Sequence, residues 1–440
     1  MKRTLTFCAS VAVAVVVTVF VATTALASGP LTVDIHGPGQ RMVNIILLPP
    51  KGLGGSQLPT AQAKAFEELV VNNLNYIPFL KLIPTSELLG GDPSRGVGGG
   101  DIDFKPMQMA RIDLCMTTGW NGRYLEARVF ETFGGRRVVG KSYNDVGEIT
   151  LAQAADRFCS AFLEALTGKK GFFDSPVAFV RQDGKAKEIY TVLPQGRELK
   201  RITNLGGYNL SPSWSADGSK IIFTHIASTR HELGVYDSKT QKITLYSQGL
   251  GQTIISPVFG PGDKPIVALN VNGATDIQEL DASFKPQRVL ARSPYIDVSP
   301  SFDRTGTKMA FTSGRAGNPH VYLMDMKSGE VRRVTMTGKY NTHPCLSPDG
   351  RYIAYTNRTG SGHRIFLHDL ATGREKQLTF GPGNDEYPAF DPDGYFVAFA
   401  SNRSGGFKLY LTTRHGDTPR VISTGPGQAF APAWDTALQW

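Results

Sequence analysis

His343, Asp385 and Glu386 are the residues whose types best suit chemistry, because an imidazole and two carboxylates can bind a metal ion or transfer a proton. The segments that carry them are rich in tyrosines, amides and carboxylates, a composition that protein-binding surfaces favour. A metal or acid–base site and an ordinary solvated rim are the alternatives. We predict a protein-binding surface that needs no metal or other cofactor.

Sequence motifs of the common hydrolases and metal sites are missing. The chain has no G-x-S-x-G nucleophile elbow, and His231-Glu232 lacks the second histidine of a zinc-protease motif. Asp391-x-Asp393-Gly394 resembles the start of a calcium loop but lacks the later ligands, and a repeated turn explains it better. We therefore predict that the protein is not an enzyme. The alternative is a secreted propeller enzyme or glycan-binding protein that uses the same surface.

A Ser-Pro-x-aromatic motif recurs six times, with variants. We expect the repeated strands that carry it to position His343, Asp385 and Glu386. The prolines of the six copies are separated by 43 to 45 residues and are Pro212, Pro257, Pro300, Pro344, Pro388 and Pro432. Such a period with strand-like content is typical of a β-propeller with one four-stranded blade per repeat. Six copies predict six blades, with an inter-blade core built from Trp214, Phe259, Phe302, Leu346, Phe390 and Trp434.

The loops that lead into the innermost strands are predicted to surround the central channel at one face. On this face we predict a partner-binding site made of Tyr208, Asn209, Thr253, Ile254, Tyr295, Asp297, Asn341, Thr342, His343, Asn384, Asp385, Glu386 and Phe430. The Asp-Gly turns that follow the innermost strands are predicted to lie at the opposite face.

The first and last propeller segments complete one another. Three strand-like segments, residues 177–180, 188–192 and 197–203, have no Pro-aromatic strand before them. The last Pro-aromatic strand, residues 431–435, has no strands after it. We predict that the C-terminal strand joins the first blade and closes the ring, which removes an exposed sheet edge.

Residues 28–168 are predicted to form a small α/β domain, followed by the propeller at 169–440. Helical periodicity appears at 61–75 and 151–166, and strand patterns at 43–48, 79–83, 112–117, 124–131 and 137–143. The predicted fold class is therefore a two-domain α+β protein, with a six-bladed propeller closed by the C-terminal strand.

The first 27 residues are predicted to be a secretory signal peptide. Lys2 and Arg3 precede an apolar run, and the small residues around Ala27 favour cleavage before Ser28. A membrane anchor is the alternative. Since no second long apolar run follows, we predict that the mature chain is not an integral membrane protein.

Charge and cysteine content argue against a nucleic-acid-binding protein, a disulfide framework and a zinc site. The net charge of +9 comes from scattered basic residues, so we predict no nucleic-acid partner. Cys115, Cys159 and Cys345 remain after cleavage, and an odd count without a C-x-x-C motif speaks against a disulfide framework or a zinc site. A Cys115–Cys159 bridge stays open as an alternative.

The signal peptide, the α/β domain, the join at residues 167–172 and the six repeats together resemble the TolB family, the periplasmic propellers of the Gram-negative Tol–Pal system. The resemblance implies a monomeric, non-enzymatic adaptor that binds the lipoprotein Pal over the channel face. It also implies that an N-terminal arm at residues 28–36, made of Leu31, Thr32, Val33, Asp34 and Ile35 with its flanking residues, binds the inner-membrane protein TolA by strand addition. The implied role is support of outer-membrane invagination at division and of envelope integrity.

Overall fold

The computed structural model describes residues 42–146, 150–169, 171–228, 230–247, 252–271 and 273–435. The predicted signal peptide, the Ala27–Ser28 cleavage site and the arm lie outside these residues. Within the described ranges, no helix is long and apolar enough to cross a membrane.

The N-terminal region is one six-stranded sheet with helices. Its strands are β1 Val43–Leu47, β2 Lys51–Gly52, β3 Leu80–Ile83, β4 Leu114–Asn121, β5 Tyr124–Glu131 and β6 Arg137–Tyr143. Its helices are α1 Thr60–Asn75, α2 Lys105–Met109 and α3 Leu151–Thr167, with 3-10 turns at Thr85–Glu87 and Gly99–Asp101. The sheet order is β3-β1-β4-β5-β6, with β2 paired to β4. Strand β1 is parallel to both β3 and β4, and the β4-β5-β6 ladder is antiparallel.

Local sequence explains the bounds of α3. The Thr150 hydroxyl accepts a hydrogen bond from the Gln153 backbone N–H at 3.1 Å, and the Gln153 side chain accepts one from the Thr150 N–H at 3.0 Å. This reciprocal cap satisfies N–H groups that the first helical turn leaves unpaired. Gly168 ends the helix with a φ of 69°, a conformation that favours glycine.

Cys115 and Cys159 are free, buried thiols. Cys115 packs in a small cluster around Ile46 and Met107, whereas Cys159 belongs to the large core around Phe158. The alternative of a bridge between them is therefore not realised in this structure. Burial raises the pKa of the Cys115 thiol to about 12, so it is protonated and unreactive at neutral pH.

The C-terminal region consists of strands from residue 177 onward. The first seven are β7 Val177–Asp183, β8 Ala186–Val192, β9 Lys200–Arg201, β10 Tyr208–Trp214, β11 Lys220–Ala227, β12 Arg230–Asp237 and β13 Lys242–Ser247. The next eight are β14 Thr253–Phe259, β15 Pro265–Val271, β16 Ala274–Leu280, β17 Pro286–Ala291, β18 Asp297–Phe302, β19 Lys308–Ala316, β20 Asn318–Asp325 and β21 Val331–Arg333, with a 3-10 turn at Pro261–Asp263. The last nine are β22 Asn341–Leu346, β23 Tyr352–Thr359, β24 Gly362–Asp369, β25 Arg374–Gln377, β26 Asp385–Phe390, β27 Phe396–Ser401, β28 Lys408–Thr413, β29 Arg420–Ile422 and β30 Gln428–Trp434.

These strands pair in five sheets. Four are four-stranded meanders of consecutive strands, namely β14–β17, β18–β21, β22–β25 and β26–β29. The fifth has the order β13-β12-β11-β10-β8-β7-β30, with β9 paired to β8. A single parallel pairing, Tyr208 with Lys187, joins β10 to β8 in this sheet.

Strand β30 lies antiparallel to β7, with Trp434 opposite Val177 and Phe430 opposite Val180. It also contacts β26 and β10, the innermost strands on either side. The indole N–H of Trp214 on β10 donates to the carbonyl of Ala433 at 3.1 Å. The last strand is thus held by both neighbours as well as by its sheet partner.

The aromatic series of the repeat lies between neighbouring sheets, as the sequence predicts. Trp214, Phe259, Phe302, Leu346, Phe390 and Trp434 each pack in a different apolar cluster. The cluster of Trp434 continues into the N-terminal region through Phe172, whose ring centroid lies 5.6 Å from that of Trp434 and 4.4 Å from that of Phe396. One continuous core therefore joins the two regions.

Candidate protein-binding site at the channel mouth

Every innermost strand has the same irregularity just before its proline. The residue at this position has a left-handed φ between 46° and 57° in all six copies, which are Ser211, Ser256, Ser299, His343, Tyr387 and Ala431. The strand register shifts at the same place. A left-handed conformation costs a non-glycine residue about 1–2 kcal/mol, so the surrounding structure must hold it. The bulge breaks the alternation of side chains along each innermost strand.

The residue three positions before each proline is fully buried. Asn209, Ile254, Asp297, Asn341 and Asp385, all predicted as partner-binding residues, are at most 1% exposed. Asp297 accepts from Arg315 at 3.0 Å, Asp385 accepts from Arg403 at 2.8 Å, and the Asn341 side chain accepts from Asn357 at 2.7 Å. The structure places these side chains inside the blades, where Asp297, Asn341 and Asp385 tie the innermost strand to the next hairpin.

Accessible positions lie just before these buried residues, at the start of each innermost strand. We call this set the channel mouth and define it by Tyr208, Thr253, Tyr295, Tyr340, Asn384 and Gln428. Tyr208 and Tyr295 are 47% and 51% exposed, while Thr253 and Asn384 are half-buried. Phe430 is also half-buried, and Thr342 is buried. The accessible tyrosines give this face aromatic contact area, which protein interfaces favour.

His343, Asp385 and Glu386 each engage a different partner. The His343 ring packs on Tyr387 with centroids 4.1 Å apart, while Glu386 lies 2.6 Å from Nδ1 of His363. Burial lowers the pKa of His343 to about 4, so it is neutral at physiological pH. Across the described ranges, no group of three His, Cys, Asp or Glu side chains is arranged to hold a metal ion.

A cleft opens at the mouth beside these residues. Tyr340 and His363 line a cavity of about 560 Å³, together with Arg358 and Asn384. The rings of Tyr340 and His363 are within 5° of parallel, and their centroids lie 6.5 Å apart. Flat aromatic walls of this kind favour stacking with another planar group.

Arg364 holds one wall of the cleft from within. This buried side chain donates to the carbonyls of Ser361, His363, Gly381 and Gly383. Through them it connects the β23–β24 turn to the loop that leads into β26. Asn384 adds a second link, since its side-chain oxygen accepts from the His363 backbone N–H at 2.9 Å.

Comparison with known proteins places the chain in a family. The model of the TolB beta propeller domain matches residues 163–438. The Tol-Pal system protein TolB of Nitratidesulfovibrio vulgaris is 44% identical over 297 residues, which is 66% of this chain and 67% of the relative. The chain belongs to the TolB family.

Other TolB-named proteins are similar over different extents. A protein TolB homolog of Chlorobium luteolum is 32% identical over 208 residues, 47% of either chain. The crystal structure of TolB from Acinetobacter baumannii superimposes with a TM-score of 0.75, covering 91% of this chain and 98% of the other. At 22% identity this likeness shows the fold: a TolB-like β-propeller with an N-terminal α/β region.

Sequence reasoning about this TolB-family chain did not predict the cleft residues that lie in a turn between the second and third strands of a meander. His363, Arg358 and Arg364 belong to the β23–β24 hairpin and not to a loop that leads into an innermost strand. The available signal was strand direction: in a meander, the turn after the second strand returns to the face where the first strand began. Turns between the second and third strands therefore contribute to the channel mouth.

Proposed function

We propose that this protein is a non-enzymatic periplasmic adaptor of the Tol–Pal system that binds a Pal-like lipoprotein at the channel mouth. The observation that carries the proposal is family membership with relatives named Tol-Pal system protein TolB. The accessible tyrosines and half-buried polar residues of the mouth support a protein-binding role for this face. Of the predicted residues, Tyr208, Thr253, Tyr295, Asn384, Glu386 and Phe430 are the accessible contacts that we propose, with His343 and Thr342 beneath them.

We propose further that the propeller is a six-bladed ring closed by its C-terminal strand. The single pairing between β10 and β8 divides the eight-stranded sheet into two sets of four strands, one of which is β30-β7-β8-β9. With the four meanders this division gives six blades. The contacts of β30 with β26 and β10 support closure.

The remaining proposals concern the domain boundaries, the second partner and the cellular role of the protein. We propose a signal peptide at residues 1–27, an α/β domain at 28–168 and the propeller at 169–440. The arm at residues 28–36 is proposed to bind a TolA-like inner-membrane protein by strand addition. Together these interactions would support outer-membrane invagination during division and envelope integrity, with the protein acting as a periplasmic monomer.

Binding to the Pal lipoprotein of the same organism tests the proposal. The mature chain is expected to bind it, and Tyr208→Ser with Tyr295→Ser is expected to weaken binding at least tenfold, since buried tyrosines carry about 2 kcal/mol or more at interfaces. Val289→Ser with Val421→Ser is the matched control, because these valines are 38% and 51% exposed on outermost strands. A chain without residues 28–36 should lose TolA binding and keep Pal. Equal loss of Pal binding in both double variants would contradict the proposed face.

A further inference from the structure

Cationic side chains with no acidic partner surround the channel mouth. Lys187 lies 5.1 Å from the ring centroid of Phe430, and Arg358 lines the Tyr340–His363 cleft. Lys339 is exposed directly before Tyr340, while the Lys408 ammonium donates to two backbone carbonyls. Within the part of the chain that the structure describes, no carboxylate forms an ion pair with any of these four cations.

Two carboxylates of the same face are neutralised by arginines. Asp297 and Asp385 are buried against Arg315 and Arg403. Glu386 is 21% exposed and lies against His363. Asp183 and Glu232 each lie in a hairpin that also carries a cation, Lys185 and Arg230 respectively, so these two pairs of residues add no net charge to this face. The mouth therefore carries an excess of positive charge.

The shape of the cleft further restricts which anionic ligand can bind at the mouth. Its two nearly parallel rings favour a planar group, and Arg358 at its edge favours an anionic one. An acidic peptide segment that carries an aromatic side chain satisfies both conditions. An anionic lipid surface satisfies only the charge, because it offers no planar group that enters a cleft.

We propose that the channel mouth recognises an acidic segment of its protein partner, with an aromatic residue of that segment stacked against Tyr340 or His363 in the cleft. The proposal rests on the proposed function, since it specifies the chemistry of the partner at that face. Rim charges act mainly on the association rate, so binding should depend strongly on ionic strength.

The experiment compares Lys339→Glu/Arg358→Glu with Lys239→Glu/Lys242→Glu, which makes the same change in net charge at exposed positions of the β12–β13 turn. The probes are the Pal lipoprotein and a synthetic peptide of six glutamates and one tryptophan. The mouth variant should lose about tenfold or more in affinity for both probes, and the control should bind like the parent chain. Raising NaCl from about 50 to about 500 mM should slow association of the parent chain.

Three results would overturn the proposal: a peptide that does not bind, equal affinity of the two variants, or a lipoprotein association rate that salt leaves unchanged. Preferential binding to vesicles of anionic phospholipid, without peptide binding, would assign the charge to a membrane and would also overturn it. If the peptide binds at the mouth and the lipoprotein does not, the proposed function fails while the acidic-segment specificity stands.

Discussion

Asp391 is a buried carboxyl that couples stability to pH. One side-chain oxygen accepts the backbone N–H groups of Tyr395 and Phe396 at 2.8 and 2.9 Å. The other oxygen has no hydrogen-bond partner among the described residues. Burial raises the pKa of Asp391 to about 7, because an ionised carboxylate is poorly solvated there.

Asp391→Asn should stabilise the protein more at pH 8 than at pH 5. In the parent chain the unfolded state releases the Asp391 proton near pH 4 and the folded state near pH 7, so the free energy of unfolding falls across this window as pH rises. From pH 5 to the folded pKa of about 7 is two tenfold steps of about 1.4 kcal/mol each, so the loss between pH 5 and pH 8 is on the order of 3 kcal/mol. Denaturant unfolding at both pH values measures it.

Asp217→Asn is the matched control with the opposite sign. Hydrogen bonds from Ser219 and Ser215 lower the pKa of Asp217 to about 2, so its contribution is present above pH 4 and lost as pH falls through 2. This variant should destabilise the protein at pH 7. A pH dependence of Asp391→Asn that matches that of the parent chain would show that Asp391 does not titrate near neutrality.

Residue types alone could not separate buried from accessible positions at the mouth. Asp385 and Glu386 are adjacent acids in the sequence, yet Asp385 is fully buried and Glu386 is 21% exposed. The difference depends on Arg403, which is 18 residues away and reaches Asp385 only after the hairpin forms. The same combination recurs in another blade: Asp297 lies three residues before a repeat proline, and a Ser-x-Arg motif that ends at Arg315 follows in the next hairpin. This recurrence was the sequence signal that such an aspartate is buried against an arginine.

At the scale of elements, Arg364 determines whether the cleft keeps its shape. Arg364→Met should lower the free energy of unfolding by about 2–4 kcal/mol, because four backbone carbonyls lose a charged donor. It should also speed amide exchange around residues 381–384. Thermal unfolding and hydrogen exchange measure the two effects.

Arg358→Met provides the comparison, since Arg358 is exposed in the same hairpin and should change stability by less than about 0.5 kcal/mol. If both variants unfold at the same temperature as the parent chain, Arg364 does not organise the cleft.

Elements were largely predictable from periodicity, because strand alternation and helical spacing are local properties. The helix of residues 61–75 was expected and α1 spans Thr60–Asn75; the helix of residues 151–166 was expected and α3 spans Leu151–Thr167. The left-handed residue before each proline was not predicted. Serine, histidine, tyrosine and alanine all occupy it, so no residue type marks the conformation.

At the scale of the whole molecule, the last strand is expected to hold the propeller together. Removing residues 428–440 would expose the edge of β7 and leave the indole of Trp214 without the Ala433 carbonyl. The shortened chain should associate or aggregate and lose its cooperative transition. Light scattering coupled to size-exclusion chromatography and calorimetry measure this.

Removing only residues 436–440 leaves β30 in place and should keep the protein monomeric and cooperative. A monomeric chain without residues 428–440 that unfolds at the parent temperature would contradict the proposed closure.

The packing of the two regions against each other was not predictable, because it depends on side chains from distant segments. Phe172 in the join contacts both Phe396 and Trp434, and Phe79 of the N-terminal region lies 6.3 Å from Tyr395. Tyr395 and Phe396 directly follow the Asp393-Gly394 turn and Trp434 is the last residue of β30, so these contacts lie on the side of the Asp-Gly turns. The channel mouth at the other side is thus left accessible to a partner.

Hydrogen exchange of the mature chain with and without Pal tests the proposed role of the channel mouth most directly. Protection on Pal binding is expected in peptides around residues 206–210, 338–343, 360–364 and 382–387, with none in the turns at 216–219 and 348–351. Protection confined to those turns or to the N-terminal region, with an unchanged mouth, would contradict the account.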